Sequence, residues 1–370
     1  MEKSDKIKIV LTGGHAATTA ISVVEEIGSR RLGWKVYWIG AEAAVEGKSV
    51  STLESEVFPS LGVSLHSIKA GRLQRKFSIW TIPSLLKIPL GFVQAFWLLI
   101  RIKPKLVLSF GAFTAFPVVV SAYILGIPVV VHEQTITAGR ANRASGFFAK
   151  KIALARSESE RFFPRKKCVV VGNPILTQIA KIEPKRAMGN PPTVFITCGS
   201  RGSQTINEAV DGILERALPS YYIIHQTGPL DYPKFLKRKK LLPGELPKNY
   251  RVESRIDPMM IATIYRQADI VIARAGANTV SEIIATRRPS ILIPIPWSYL
   301  NEQTKNAQAA EKLGIARIIA QDTLTPESLY KTLESVRENR DKMVKSCLNK
   351  KSMDRLASKK LVELVEGFLG

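Results

Sequence analysis

Cysteine is scarce in this 370-residue chain: Cys168, Cys198 and Cys347 stand far apart and match no zinc-binding spacing. An odd, scattered set excludes a disulfide framework and fits reduced thiols in a cytosolic protein. No Asp-x-Asp pair occurs either. The usual carboxylate clamp for a metal-bound diphosphate is therefore missing, and neither a metal nor another cofactor is expected. No uninterrupted apolar run reaches the roughly 20 residues that a bilayer span needs. Met1 to Lys8 holds five ionisable side chains and lacks the apolar core and cleavage site of a signal peptide. Low-complexity tracts are absent, and 45% hydrophobic with 23% charged residues is a globular composition rather than a disordered one.

Acidic residues are the other shortage. Against 54 Lys and Arg there are 31 Asp and Glu, a net charge of +23. Such a field attracts anions: nucleic acid, anionic lipid or phosphorylated substrates. The excess is uneven, since between Glu56 and Glu158 there are thirteen Lys and Arg and one carboxylate, Glu133. A solvated basic face reads the same way, so charge alone does not choose a partner.

What is present is a repeated strand, glycine turn, helix pattern. Lys6 to Leu11 is an apolar strand run followed by Thr12-Gly13-Gly14, and a helix is expected over His15 to Ile27. Lys35 to Ile39, Leu106 to Ser109 and Pro128 to Val131 read as further strands, with a helix over Pro117 to Leu125. After a polar, proline-rich stretch from Lys181 to Pro192 the pattern restarts: strand Thr193 to Thr197, a turn at Gly199 to Gly202, helix Ser203 to Leu214. Tyr222 to His225, Asp269 to Ala273 and Ser290 to Ile293 are later strands. Apolar strands alternating with helices predict parallel sheets covered on both faces. The expectation is an α/β chain of two Rossmann-like, doubly wound domains facing a cleft, with ligands outside the carboxyl ends of the strands. The expected bounds are 1–175 and 176–345, with a C-terminal helical segment, 346–370, packing back on the first domain.

The segment from Phe77 to Ile100 is apolar and aromatic, with Trp80, Phe92, Phe96 and Trp97. Arg72, Arg75 and Lys76 precede it, and Arg101, Lys103 and Lys105 follow. Pro83, Lys87, Pro89, Gly91 and Gln94 interrupt it. A hairpin or helix lying in a membrane interface fits, its aromatics at headgroup depth and its basic flanks against anionic lipid. The alternative is a core helix beside a basic loop.

Four constellations carry polar chemistry. In Thr12-Gly13-Gly14-His15, glycines allow close backbone approach to a ligand and a helix start offers amide donors. His15 either caps that helix or transfers a proton. His132-Glu133-Gln134 is read as following the strand Pro128 to Val131 directly; Glu133 either binds loop amides or acts in the reaction. In Arg274-Ala275-Gly276-Ala277-Asn278-Thr279-Val280-Ser281-Glu282, small residues leave room for a diphosphate at a helix start. Glu282, about one turn in, either accepts hydrogen bonds from two adjacent ribose hydroxyls or is a solvated helix glutamate. Asn301 to Asn306 supplies amides suited to neutral sugar hydroxyls.

Taken in order, TGGH at 12–15, GIPVVVHEQ at 126–134, GNP at 172–174, CGSRGSQTIN at 198–207, HQTG at 225–228, DIVIARAGANTVSE at 269–282 and EQTKNA at 302–307 resemble the MurG family of membrane-associated N-acetylglucosaminyltransferases. The resemblance runs from Thr12 to about Ile318. It implies a GT-B fold and an inverting, metal-independent transfer from UDP-N-acetylglucosamine to the C4 hydroxyl of a lipid-linked muramoyl-pentapeptide, on the cytoplasmic face of the cell membrane. By matched motif, Ser200 approaches the diphosphate and the Ile256 backbone holds the uracil. Ala277, Asn278, Thr279, Val280, Ser281 and Glu282 wrap the diphosphate and ribose, and Gln303 binds the sugar. Thr12, Gly13 and Gly14 form a wall near the diphosphates, and His15, with Glu133 as second candidate, activates the acceptor. The chain departs from the family at Thr135 and Leu176, which stand where donor-touching residues are usual. It departs also at Gly111-Ala112-Phe113, where Gly-Gly-Tyr is usual, and at Glu302, where an amide precedes Gln303.

Two rival readings remain on the sequence. One is another UDP-sugar enzyme on the same fold, a UDP-N-acetylglucosamine 2-epimerase or a transferase with a different lipid acceptor. The other is a basic nucleic-acid-binding protein, which would interleave aromatics with cations along a groove. Here the aromatics cluster in one apolar stretch, so no nucleic-acid partner is expected.

Overall fold

The computed structural model describes residues 6–14, 17–41, 53–69, 81–199 and 201–369. It divides into two compact units, residues 1–177 with 353–370, and residues 178–352.

In the first unit the elements run β1 (Lys8–Thr12), α1 (Ala17–Ser29), β2 (Lys35–Ala41), α2 (Leu53–Val57), β3 (Ser64–Ile68), α3 (Thr81–Ile102) and β4 (Leu106–Ser109). They continue α4 (Ala115–Ile124), β5 (Val129–Glu133), α5 (Arg140–Phe148), β6 (Lys151–Leu154) and β7 (Cys168–Val170). The seven strands form one parallel sheet in the order β3-β2-β1-β4-β5-β6-β7. Val10, Val107, Val131 and Leu154 from its middle strands are fully buried against Leu99, Val118 and Val119 of the covering helices. Continuous Val, Ile and Leu runs make such strands because both faces are hidden from water.

The second unit contains α6 (Thr177–Ala180, which starts at its border), β8 (Thr193–Thr197), α7 (Gln204–Asp211), α8 (Leu214–Ala217), β9 (Tyr222–Gln226), α9 (Tyr232–Lys240), β10 (Tyr250–Glu253) and α10 (Ile261–Gln267). Then come β11 (Ile270–Ala273), α11 (Ala277–Thr286), β12 (Ser290–Leu292), α12 (Glu302–Lys312), β13 (Ala316–Ile318), α13 (Pro326–Glu338) and α14 (Arg340–Leu348). Its parallel sheet has the order β10-β9-β8-β11-β12-β13. Val194, Ile196, Ile270, Ile272 and Ile291 from the strands pack with Ile206, Val210, Leu329 and Leu333 from the helices. In both sheets the winding reverses beside the first strand, between β1 and β4 and between β8 and β11. Those are the positions where loops diverge and leave a crevice at the carboxyl edge.

The chain returns to the first unit at Met353, and α15 (Ala357–Glu366) packs on α1. Asp354, 3% exposed, locks the return: it receives both Arg156 guanidinium nitrogens at 2.7 and 2.8 Å and the Asn173 amide at 2.8 Å. Gly172, at φ +96°, lies so close that a Cβ there would stand 2.8 Å from the Met353 carbonyl oxygen. This contact gives the glycine of Gly172-Asn173-Pro174 a packing reason.

Some elements differ from the sequence expectation. The helix expected over Ser203 to Leu214 is two pieces, α7 and α8, because the chain turns at Gly212. A Cβ on Gly212 would meet the Pro326 ring at 2.6 Å. β5 extends through His132 and Glu133, so that pair ends the strand instead of following it.

Candidate functional site

Two loop clusters lie at the carboxyl edges of the two sheets. In the first unit, the loops after β1, β4 and β5 interlock. Thr12 is fully buried, and its hydroxyl donates to the Ile39 carbonyl at 2.7 Å. Thr114 donates to the Gly13 carbonyl at 3.1 Å. A Cβ on Gly14 would stand 2.9 Å from that of Ala112, and one on Gly111 would stand 2.4 Å from Asn142 Oδ1. Ala112 itself holds φ +74°, a left-handed conformation that costs a side-chain-bearing residue roughly 1–2 kcal/mol. His15, which continues this loop, lies outside the described residues.

Glu133, 2% exposed, is the hub of the cluster. Its Oε1 accepts from the Thr135 amide at 2.9 Å and the Thr135 hydroxyl at 2.8 Å. Its Oε2 accepts from the Gly139 amide at 3.0 Å and Asn142 Nδ2 at 2.9 Å. Burial raises its pKa, and these four donors oppose the rise. A carboxylate has about four acceptor positions, so this one is fully engaged in bracing residues 133–142. His132 is buried beside it, donates from Nε2 to the Gly172 carbonyl at 3.1 Å, and is held neutral by burial with its pKa lowered to about 4.

In the second unit, the loops after β8 and β9 meet backbone to backbone. A Cβ on Gly202 would lie 1.9 Å from the Thr227 carbonyl oxygen, and one on Gly228 would lie 2.3 Å from that of Arg201. Both glycines have positive φ, +76° and +83°. Beneath them is a buried polar network. Asn207 Nδ2 donates to the Thr227 carbonyl at 2.9 Å and to Asp231 Oδ2 at 2.7 Å. Its Oδ1 therefore faces His225 Nε2 at 3.0 Å as acceptor, which makes His225 Nδ1 the acceptor for the Tyr250 hydroxyl at 2.8 Å. Burial lowers the His225 pKa to about 3, so it is a neutral structural imidazole.

The turn after β11 faces the same edge. Arg274 Nη1 donates to the Ile293 carbonyl at 3.1 Å and Nη2 to the Ser203 hydroxyl at 2.8 Å, tying three loops together. Asn306 Nδ2 holds the Ala275 carbonyl at 3.1 Å. α11 then begins at Ala277, behind Gly276, an N-cap residue that supplies no side-chain cap bond. A Cβ on Gly276 would meet nothing within 4 Å, so there is open space at the helix start. Ala277, Asn278 and Thr279 are partly exposed there, whereas Val280 and Ser281 turn into the core. Glu282 is half-buried. Tyr265, fully buried on α10, donates its hydroxyl to Glu282 Oε2 at 2.9 Å. Burial pushes the Glu282 carboxyl up to about 7, and the tyrosine bond pulls against that rise.

Ile256 lies partly exposed in the loop after β10. Glu302 and Gln303 open α12, preceded by the left-handed pair Leu300 and Asn301 at φ 50° and 55°. Gln303 Oε1 accepts from the Ile295 amide at 3.0 Å, which turns its side chain back along the loop after β12. Ser200 lies outside the described residues. Arg274 and Asn207 hold these loops from inside the quoted motifs, where sequence reasoning gave them no role, and Asn142 and Tyr265 were not singled out at all. Tyr265 sits 17 positions before Glu282 on another helix, and no local pattern joins them.

Of the aromatic segment, Arg72, Arg75, Lys76 and Trp80 lie outside the described residues. α3 is one helix from Thr81 to Ile102. Phe92 and Phe96 are half-buried, and Phe92 stands edge-on against Phe116 of α4 at 6.2 Å. Leu90, Val93, Trp97 and Ile100 form the outward stripe, with Trp97 57% exposed. No helix among the described residues is long and apolar enough to cross a membrane.

The glycosyltransferase family 28 N-terminal domain matches residues 12–154, and the family's C-terminal domain matches residues 193–363. A Clostridium kluyveri protein named "UDP-N-acetylglucosamine--N-acetylmuramyl-(pentapeptide) pyrophosphoryl-undecaprenol N-acetylglucosamine transferase" is 31% identical, covering 98% of this chain and 99% of its own. A Legionella pneumophila protein of the same name is 33% identical over 90% of each chain. The crystal structure of Acinetobacter baumannii MurG superposes with a TM-score of 0.70 at 24% identity, covering 98% of this chain and 99% of that one.

Proposed function

Because the chain belongs to the family of UDP-N-acetylglucosamine–N-acetylmuramyl-(pentapeptide) pyrophosphoryl-undecaprenol N-acetylglucosamine transferases, we propose that it carries out this transfer itself. The acceptor is a muramoyl-pentapeptide on undecaprenyl diphosphate, and its C4 hydroxyl attacks the anomeric carbon of UDP-N-acetylglucosamine with inversion. The C4–OH proton passes to a base, the new C–O bond forms, and the bond from the anomeric carbon to the diphosphate oxygen breaks to release UDP.

The observation that carries this reading is the uncapped start of α11 behind Gly276, with Glu282 one turn further in. Amide donors and the positive end of a helix offset the charge that develops on a leaving diphosphate, without a metal. Ala277, Asn278 and Thr279 line that start. Glu282, oriented by Tyr265, takes the two ribose hydroxyls. Ile256 presents its backbone to the uracil, Ser200 supports the diphosphate, and Gln303, with Glu302 beside it, meets the sugar. Thr12, Gly13, Gly14 and Thr135 shape the loops of the acceptor unit, and His15 is the proton acceptor. Glu133 serves as the brace of its loop, since its four acceptor positions are occupied.

The acceptor is a lipid, which agrees with a peripheral position on the cytoplasmic face of the membrane. The outward stripe of α3 supports that docking: it presents Leu90, Val93, Trp97 and Ile100 with Arg101 stacked 5.4 Å over the Trp97 ring.

The test is UDP release by the full chain with EDTA present. UDP and a β-linked disaccharide product are expected only when the lipid-linked acceptor is added. Free sugar epimerised at C2 without acceptor would replace this reading by an epimerase.

A further inference from the structure

The second unit has a groove of about 500 Å³ far from the loops described above. It is walled by the linker before β8, the end of α11 and the length of α14. α11 starts at the carboxyl edge of the sheet, so its last residues, and Arg287 after it, lie back at the amino edge, beside the start of β12. Five cations line the groove: Lys185, Arg186, Arg287, Arg340 and Lys345. Glu183 and Asp341 are its acids, and Pro184, Val344 and Leu348 give it an apolar side.

The cations are not equivalent. Lys185 is neutralised by Asp269, buried 2.8 Å away. Arg340 is built into the wall with its side chain 4% exposed, and it grips the carbonyls of Lys185 and Arg186. Among the described residues the carboxylate in ion-pair contact with it is Asp341, at 2.6 Å and 74% exposed, and its Nε is buried with no hydrogen-bond partner there. A buried guanidinium whose counter-charge stands in water is under-compensated. Arg287 spends one donor on the Leu348 carbonyl at 3.1 Å. Arg186 and Lys345 are exposed and have no ion-pair partner among the described residues. A rigid, buried cation flanked by free ones next to an apolar wall suits an anion with several oxygens and an apolar part. The volume falls in the range of small-ligand sites.

We propose that this groove is a second anion site, taking a phosphate-bearing ligand apart from any nucleotide bound at the carboxyl edge. The same chemistry is offered by a soluble phosphate ester and by an anionic lipid headgroup.

The experiment is hydrogen–deuterium exchange on the full chain with inorganic diphosphate in one arm and phosphatidylglycerol vesicles in the other. Protection is expected over residues 183–187 and 340–348. Protection by diphosphate identifies a soluble ligand, and protection by vesicles alone identifies the headgroup. In the double variant Arg186→Glu, Lys345→Glu the half-saturating concentration rises about tenfold or more, while the KM for UDP-N-acetylglucosamine stays unchanged. Protection confined to residues 274–279, protection nowhere, or a double variant that binds as the parent does would overturn the proposal.

Discussion

Glu282 lies half-buried under the Tyr265 hydroxyl, with burial holding its carboxyl near pH 7. Two consequences follow from that one group. In the proposed contact both ribose hydroxyls donate to the carboxylate, which favours its ionised form, and the free protein is only partly ionised at neutral pH. The kcat/KM for UDP-N-acetylglucosamine should therefore fall below pH 7, approaching about tenfold per unit. Glu282→Gln should remove the inflection and lower kcat/KM by about 10–100-fold, the worth of a charged hydrogen bond. Tyr265→Phe should move the inflection upward, because the bond that favours the carboxylate is gone. Stability responds in the opposite sense. The unfolded carboxyl titrates near 4.5 and the folded one near 7, so the folded state holds the extra proton between these values. Stability from this group is full below about pH 4.5 and is lost as pH rises through 7. Glu282→Gln should thus raise stability at pH 8 by about 1–3 kcal/mol, discounted for partial exposure, and by nothing at pH 4. Thermal melts at both pH values check this. A variant that loses donor binding while gaining stability marks a residue kept for function.

At the scale of elements, the loop after β5 shows what the sequence reveals and what it hides. A single acid in a basic stretch drew attention to Glu133, but its role depends on partners at positions 135, 139 and 142 that only the folded loop assembles. Glu133→Gln replaces an acceptor by a donor facing Gly139 and Asn142, or Thr135. It should destabilise by about 1–3 kcal/mol, with activity falling in parallel with the folded fraction. Lost activity with an unchanged melting temperature would instead restore Glu133 as a reacting group. The same division runs through the fold. Central strands such as β1, β4 and β8 were legible because burial on both faces demands unbroken Val, Ile and Leu. Four strands that the pattern did not reveal, β3, β7, β10 and β13, are sheet edges. β3 reads SLHSI and β10 YRVE, half-exposed segments whose polar residues resemble loop. β6 is interior and four residues long like β4, but it reads KIAL, with a lysine and an alanine breaking the branched apolar run that β4 shows as LVL. The glycine turns were legible as turns. That Gly202 and Gly228 press on each other's loops was not, because 26 residues separate them.

For the whole molecule, the docking proposed for α3 would draw on both its outward stripe and the net charge of +23. Part of α3 is spent inside the first unit: Ala95, Leu98, Leu99 and Ile102 are core, and Phe92 leans on Phe116. The outward stripe is narrow, so under the proposed docking apolar insertion alone should give weak binding. The charge supplies long-range attraction to anionic lipid, worth about 1 kcal/mol per basic residue near the surface and screened beyond a Debye length of about 10 Å at 0.1 M salt. These contributions separate experimentally. Vesicle binding should need anionic lipid and weaken steeply with salt in the parent protein. Trp97→Ser removes a ring that is 57% exposed with Arg101 stacked over it, so the melting temperature should hold. The variant's affinity for anionic vesicles should drop by about tenfold, the worth of roughly half the ring's apolar area, with the salt slope unchanged. Charge reversal at Arg101 should instead reduce the salt slope. If Trp97→Ser binds vesicles as tightly as the parent, the stripe of α3 is not the docking face, and the lipid acceptor must be met through another surface.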